Sequence, residues 1–175
     1  TWNQGLQTLT NRYWLSSAAG FEGWRVASTF EAADGALIDT QKGLIITVRA
    51  GEGGQHLVLA GTVPTDARAQ TVARDGYTVA AAPFPVAVTL DQSGLIASGF
   101  TGGSSLVTSD NLLFFNPATQ LFDVKIWYDS AGTTWRNADA SVATRALQPG
   151  ESFLIRRRNR ASDMTWTASV PYTLP

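Results

Sequence analysis

The chain contains no cysteine, which rules out a disulfide framework and a thiolate metal site together. Histidine is almost as scarce. His56 is the only one, so any Ser-His-Asp arrangement would have to use it, and a zinc site with several imidazole ligands is excluded. His56 follows Gly51-Glu52-Gly53-Gly54 and reads as a residue of a surface hairpin loop. Charge is thin: 15% of residues are charged, with a formal net charge of −1. Such a chain has no long-range field to recruit nucleic acid or anionic lipid, and near-neutrality favours association over repulsion. The lysines are only Lys42 and Lys125 and glutamates are few, so residues that favour exposed helix are missing. There is no run of about eighteen apolar residues and no basic-then-apolar leader, so neither a membrane-spanning helix nor a retained signal peptide is expected.

What is present suits a β protein. A hydrophobic fraction of 44% over 175 residues can fill a core in one or two small domains. Thr, Ser, Gly and Ala supply the polar faces and turns. The start at Thr1 fits a mature product after leader cleavage, and a trimmed fragment would begin the same way.

Internal similarity organises the chain. Trp2-Asn3-Gln4-Gly5-Leu6-Gln7 through Arg12-Tyr13-Trp14 lies without gaps on Phe115-Asn116-Pro117-Ala118-Thr119-Gln120 through Lys125-Ile126-Trp127. Ser17-Ala18 then matches Ser130-Ala131, and Trp24-Arg25 matches Trp135-Arg136. Downstream, Gly43 through Pro64 falls on Gly150 through Pro171: Arg49 meets Arg156, Leu59 meets Trp166, and Val63-Pro64 meets Val170-Pro171. Length differences collect between Trp14 and Gly43, as expected when loops absorb insertions that packed strands cannot. The organisation is therefore read as β copy A over 1–64, an intervening β segment over 65–113, and β copy B over 114–175. Either 65–113 is an insertion between two units, or 65–171 is one full unit and copy A is part of another.

Strands follow from alternation. In Asp123–Tyr128, Val124, Ile126 and Tyr128 share one face while Lys125 and Trp127 share the other, a half-buried strand with an aromatic on its second face that suits a sandwich or a strand covered by a neighbour. Gly43–Arg49 and Glu151–Arg156 are β-branched or aromatic and follow glycine-marked turns; Leu57–Ala60 and Met164–Thr167 return as their partners. Gly76–Ala80 and Val86–Leu90 read as strands around Pro83-Phe84-Pro85, whose prolines suit an edge or bulge. Ala67–Arg74 reads as a further strand, with a short helix as the alternative. The fold class is all-β: antiparallel sheets in a sandwich or barrel-like arrangement with internal duplication. Trp14, Trp127, Trp24, Trp135, Ile46, Phe153, Val48, Ile155, Leu59 and Trp166 are the expected core, because tryptophans that recur at matched positions are explained first by a repeated interior.

Catalytic and cofactor chemistry finds little footing. Glu22, Glu31, Glu52 and Glu151 are the glutamates from which a carboxylate pair for sugar cleavage would draw, and none lies on an aromatic-flanked strand. No catalytic, cofactor-binding or metal residue is assigned. Structural calcium has no ligand set, since Asp34, Asp39, Asp129 and Asp139 are isolated from one another. The glycine pairs lack the lysine and helix of a phosphate loop. Arg156-Arg157-Arg158-Asn159-Arg160 is the one basic run, but on a strand its members point to opposite sides, which favours salt bridges or an edge guard over a nucleic-acid patch.

Asp110-Asn111-Leu112-Leu113-Phe114-Phe115-Asn116, Ile126-Trp127-Tyr128, Trp135-Arg136, and Leu147-Gln148-Pro149-Gly150-Glu151-Ser152-Phe153-Leu154-Ile155-Arg156-Arg157, with Gly76–Ala80, resemble an uncharacterised family of exported bacterial β-rich proteins found in repeat-bearing cell-surface polypeptides. The resemblance covers most of 61–171, and the first 60 residues match as a second half-unit. Copy A departs by carrying Lys42-Gly43 where the pattern has Pro149-Gly150. The resemblance implies a surface β module without enzymatic activity, located extracellularly or on the cell surface after signal-peptide cleavage. Together these readings predict a structural protein that associates with itself as a fibre, sheath or surface-layer subunit, with strand exchange between subunits as one route. The alternative is a non-catalytic carbohydrate-binding module that uses exposed tryptophans, its partner then being a polysaccharide. Neither nucleic-acid binding nor membrane insertion is expected.

Overall fold

The computed structural model describes residues 2–3, 6–9, 12–37, 46–47 and 62–173. Its regular structure is β apart from one short 3-10 turn at Asp91–Ser93. The centre is a five-stranded antiparallel sheet whose strands arise from alternating segments between residues 76 and 157. These are β6 (Gly76–Ala81), β8 (Asn111–Asn116), β9 (Leu121–Asp129), β10 (Thr134–Asn137) and β12 (Ser152–Arg157), in the order β10-β9-β8-β12-β6. β12 lies between β8 and β6, with Phe153 opposite both Phe114 and Ala80 and Ile155 opposite both Leu112 and Thr78. Alternation does the sorting: Phe153, Ile155 and Arg157 are buried along β12 while Ser152, Leu154 and Arg156 are half-buried.

One face of this sheet carries the core. Phe114, Phe153, Leu112, Ile126 and Ile155 pack there, and a two-stranded ribbon of β5 (Arg68–Val72) with β13 (Met164–Ala168) supplies Val72, Met164, Trp166 and Ala168 to the same core. Trp166 meets Phe153 edge-on at 5.8 Å, and its indole N–H donates to the Ser93 carbonyl at 2.8 Å. The segment between β7 (Val88–Thr89) and β8 adds Leu90, Leu95 and Phe100; β7 pairs with β11 (Ala146–Leu147). Gly94 allows this segment to close on β13. Its φ of 75° suits glycine, and a side chain there would collide with the Thr167 carbonyl.

Two further hairpins belong to the N-terminal part: β1 (Trp2–Asn3) with β2 (Thr8–Leu9), and β3 (Tyr13–Ser16) with β4 (Gly23–Val26). The architecture is thus all-β and built from several antiparallel sheets. Among the described residues the sheets remain open, so the barrel-like option does not hold. Ala67–Arg74 contains strand β5 and no helix, and the strand expected over Val86–Leu90 shortens to Val88–Thr89 beside Pro83 and Pro85.

Candidate interaction surface

Five of the expected core residues are buried: Trp135, Phe153, Ile155 and Trp166 belong to the central core, and Trp127 is buried outside it. Trp14 is half-buried. Two expectations are corrected. Trp24 is 45% exposed and Ile46 is 61% exposed, the latter outside any strand. Val48 and Leu59 lie outside the described residues, as do His56, Glu52 and the partner strand Leu57–Ala60; of Gly43–Arg49 only Ile46 and Thr47 are described.

The exposure of Trp24 is informative because its hairpin has a buried counterpart. In β3–β4, Trp14 stands opposite Arg25 and Leu15 opposite Trp24. In β9–β10, Trp127 stands opposite Arg136 and Tyr128 opposite Trp135. The resemblance extends to the turns. Ser16 Oγ accepts the Ala18 N–H at 3.3 Å where Asp129 Oδ1 accepts that of Ala131 at 3.1 Å. Beyond each second strand the chain doubles back: Ala33 N–H donates to the Trp24 carbonyl at 2.7 Å, and Ala143 N–H to that of Trp135 at 2.8 Å. Upstream, Asn3 faces Thr8 as Asn116 faces Leu121, and both turns end on a left-handed glutamine, Gln7 at φ 50° and Gln120 at φ 58°.

What differs is the cover. On the second hairpin, Ile126 and Trp135 are 1% and 3% exposed, with Trp135 held between Phe100 at 5.3 Å and Tyr128 at 5.2 Å. On the first, alternation puts Tyr13, Leu15 and Trp24 on the corresponding face, where they are 43%, 66% and 45% exposed. Leu6, Phe21, Phe30 and Leu37 of the same segment are also exposed. Tyr13, Leu15 and Trp24 thus form one exposed apolar face of the hairpin, and an exposed apolar face of this kind is a candidate interaction surface.

The arginine run is absorbed by structure. Arg157 Nε and Arg160 Nε donate to opposite oxygens of the fully buried Asp110 carboxylate at 3.3 and 2.8 Å. The same carboxylate accepts the Thr101 N–H at 2.9 Å. Arg158 donates to the Ser109 and Leu106 carbonyls and to Asn111 Oδ1. Burial, with repulsion from Arg156 second, lowers the Arg158 pKa below the usual guanidinium value. These side chains clamp the loop before β8, so Arg157, Arg158 and Arg160 are each engaged by protein partners. Because β12 is a central strand, none of them guards a sheet edge. Asp110 had no signal of its own in the sequence; an isolated aspartate becomes the centre of an ion cluster only when the sheet brings residues 110 and 157–160 together.

A shallow depression beside Trp127 is lined by Leu106, Val107, Asp129 and Arg136. Its charges are already matched: Asp129 Oδ2 accepts from Arg136 Nε at 2.8 Å. The backbone N–H groups of Gly132 and Ala131, with Arg136, hold the Asp129 carboxyl below the ordinary aspartate range. Trp127 is 4% exposed, too little for a sugar ring to stack on. Among the described residues no group of His, Asp and Glu is arranged to hold a metal ion, and no helix is long and apolar enough to cross a membrane. Glu151 bonds Arg145 and accepts the Gln148 N–H, while Glu22 and Glu31 are exposed on the N-terminal segment. No family model, curated protein or solved structure matches the chain.

Proposed function

We propose that this chain is a non-catalytic structural module of an exported, cell-surface assembly, and that it associates with copies of itself. The observation that carries the reading is the Tyr13–Leu15–Trp24 face: the hairpin with the same register in the second half buries this face, and the first half leaves it bare. We read the two hairpins as copies of one ancestral unit. The apolar cover that Phe100 and its neighbours give the second copy is then supplied to the first by another subunit. A net charge of −1 adds no repulsion between copies, and the resemblance to repeat-bearing surface proteins agrees with a fibre, sheath or layer.

Sedimentation equilibrium over a wide concentration range tests this. Mass above the monomer that rises with concentration supports it, and a monomer at every concentration refutes it. The carbohydrate-binding alternative retains only Trp14 and Trp24 as accessible rings among the tryptophans whose side chains are described. It requires a fluorescence change on titration with polysaccharide.

A further inference from the structure

We infer that the edge of β3 away from β4, which is unpaired among the described residues, is a homotypic pairing site, at which two copies join their β3–β4 hairpins antiparallel into one four-stranded sheet. This rests on the self-association reading and names its geometry. In the hairpin the Ala27 N–H donates to the Arg12 carbonyl at 2.8 Å. Antiparallel ladders alternate, so Arg12, Trp14 and Ser16 turn their amides toward β4, and Tyr13 and Leu15 turn theirs away from it. The matching residues of β9 are both engaged on that side. Ile126 pairs with Leu112 of β8, and the Tyr128 carbonyl accepts the Gly103 N–H at 3.0 Å. Among the described residues β3 has no second strand; its one neighbour is β4.

The comparable sheet edges are closed. On β6, Gln7 receives the Tyr77 N–H on Oε1 at 2.6 Å and returns Nε2 to the Tyr77 carbonyl at 3.0 Å, while Gln70 Nε2 donates to the Val79 carbonyl at 2.8 Å. The edges of β10 and β4 are taken by their own returning chains, through Asn137 N–H to the Ser141 carbonyl and Val26 N–H to the Glu31 carbonyl. With the two edges of the five-stranded sheet and that of β4 occupied, the β3 edge, open among the described residues, is a specific pairing site rather than general stickiness.

The open edge is complementary to itself. A two-fold axis through Trp14 sets Tyr13 against Leu15 of the second copy and Leu15 against Tyr13, and these are the residues whose amides face outward. Arg12 then meets Ser16 of the second copy, so no like charges are opposed. On one face the two Trp14 rings adjoin, each already edge-on to its own Phe30 at 6.2 Å. On the other, Tyr13, Leu15 and Trp24 of both copies form one continuous apolar strip. Pairing of this isologous kind satisfies both edges and closes a dimer, which is then the unit of the larger assembly.

The register makes Trp14 a non-hydrogen-bonded pair with itself, whose Cα atoms lie about 4.5 Å apart, within disulfide reach. In a chain without cysteine, Trp14→Cys should therefore give a covalent dimer under mild oxidation, and Thr29→Cys, on an exposed turn of the same segment, should give little. Leu15→Lys, which sets a lysine against Tyr13 of the second copy on the apolar face, should raise the dissociation constant at least about tenfold. Near-ultraviolet circular dichroism of the buried tryptophans checks that the variant keeps its fold, as Leu15 is 66% exposed. If the chain associates but Trp14→Cys crosslinks no better than Thr29→Cys and Leu15→Lys associates normally, the β3 pairing is wrong and self-association stands. If the parent chain is monomeric throughout, both fall.

Discussion

Single residues separate cleanly by what their polar atoms meet. Asp110 is fully buried and answers Arg157, itself 5% exposed; removing one partner leaves an uncompensated charge in the interior. Asp110→Ala should cost about 3–5 kcal/mol in urea denaturation, far more than Asp129→Ala at the half-exposed Arg136 pair. The tryptophans make a second contrast. Trp166 donates to Ser93, whereas the buried indole N–H of Trp135 finds no partner. Trp166→Phe should then lose about 1–3 kcal/mol through an orphaned carbonyl, on top of the lost ring volume, and Trp135→Phe should lose only packing, read in the same titration. Neither assignment was legible in the sequence, where both residues were simply expected core. Burial follows from alternation, but the partner of an indole N–H depends on which loop the fold lays across it.

At the scale of elements, the sequence was read well wherever a strand carries its own pattern. β12 and β13 fall close to where β-branched and aromatic alternation put them, and β5 formed as a strand because Trp166 and Met164 on β13 bury its Val72 side. The misplaced expectation at Trp24 has a physical cause. Tyr13–Ser16 and Trp24 have the alternation of a buried hairpin, and alternation states which side chains share a face, not whether anything covers it. Cover comes from the segment around Leu90–Phe100, which packs on the second hairpin and, among the described residues, has no counterpart on the first. The β9–β10 turn carries a pH signature. The pKa of Asp129 is lowered by the Gly132 N–H first and Arg136 next. A carboxyl with a folded pKa below its unfolded one contributes stability that is complete above the ordinary aspartate range, about 4, and is lost as pH falls through the folded value. Asp139, held by the Ser141 hydroxyl and N–H, adds in the same sense. Melting temperature should therefore be flat through neutral pH and fall below about pH 4, and Asp129→Asn should flatten that acid limb.

The whole molecule joins a well-buried sheet, formed by strands between residues 76 and 157, to an N-terminal hairpin with an exposed apolar face. The burial contrast between hairpins of matching register makes association the economical explanation for so many exposed apolar side chains within 6–46. It also explains why composition hinted at assembly: a thinly charged, near-neutral surface supports contact between copies but does not say where. The place is marked by the contrast between two hairpins of matching register, one buried and one exposed. Assembly should weaken little with added salt, since no ion pair is placed at the proposed contact, and light scattering between low and high salt would register it. The most direct measurement is amide hydrogen exchange as a function of protein concentration. Protection of the amides of Tyr13 and Leu15 should rise with concentration while that of β8 and β12 stays constant; protection that is independent of concentration, or that rises elsewhere, would contradict the central claim.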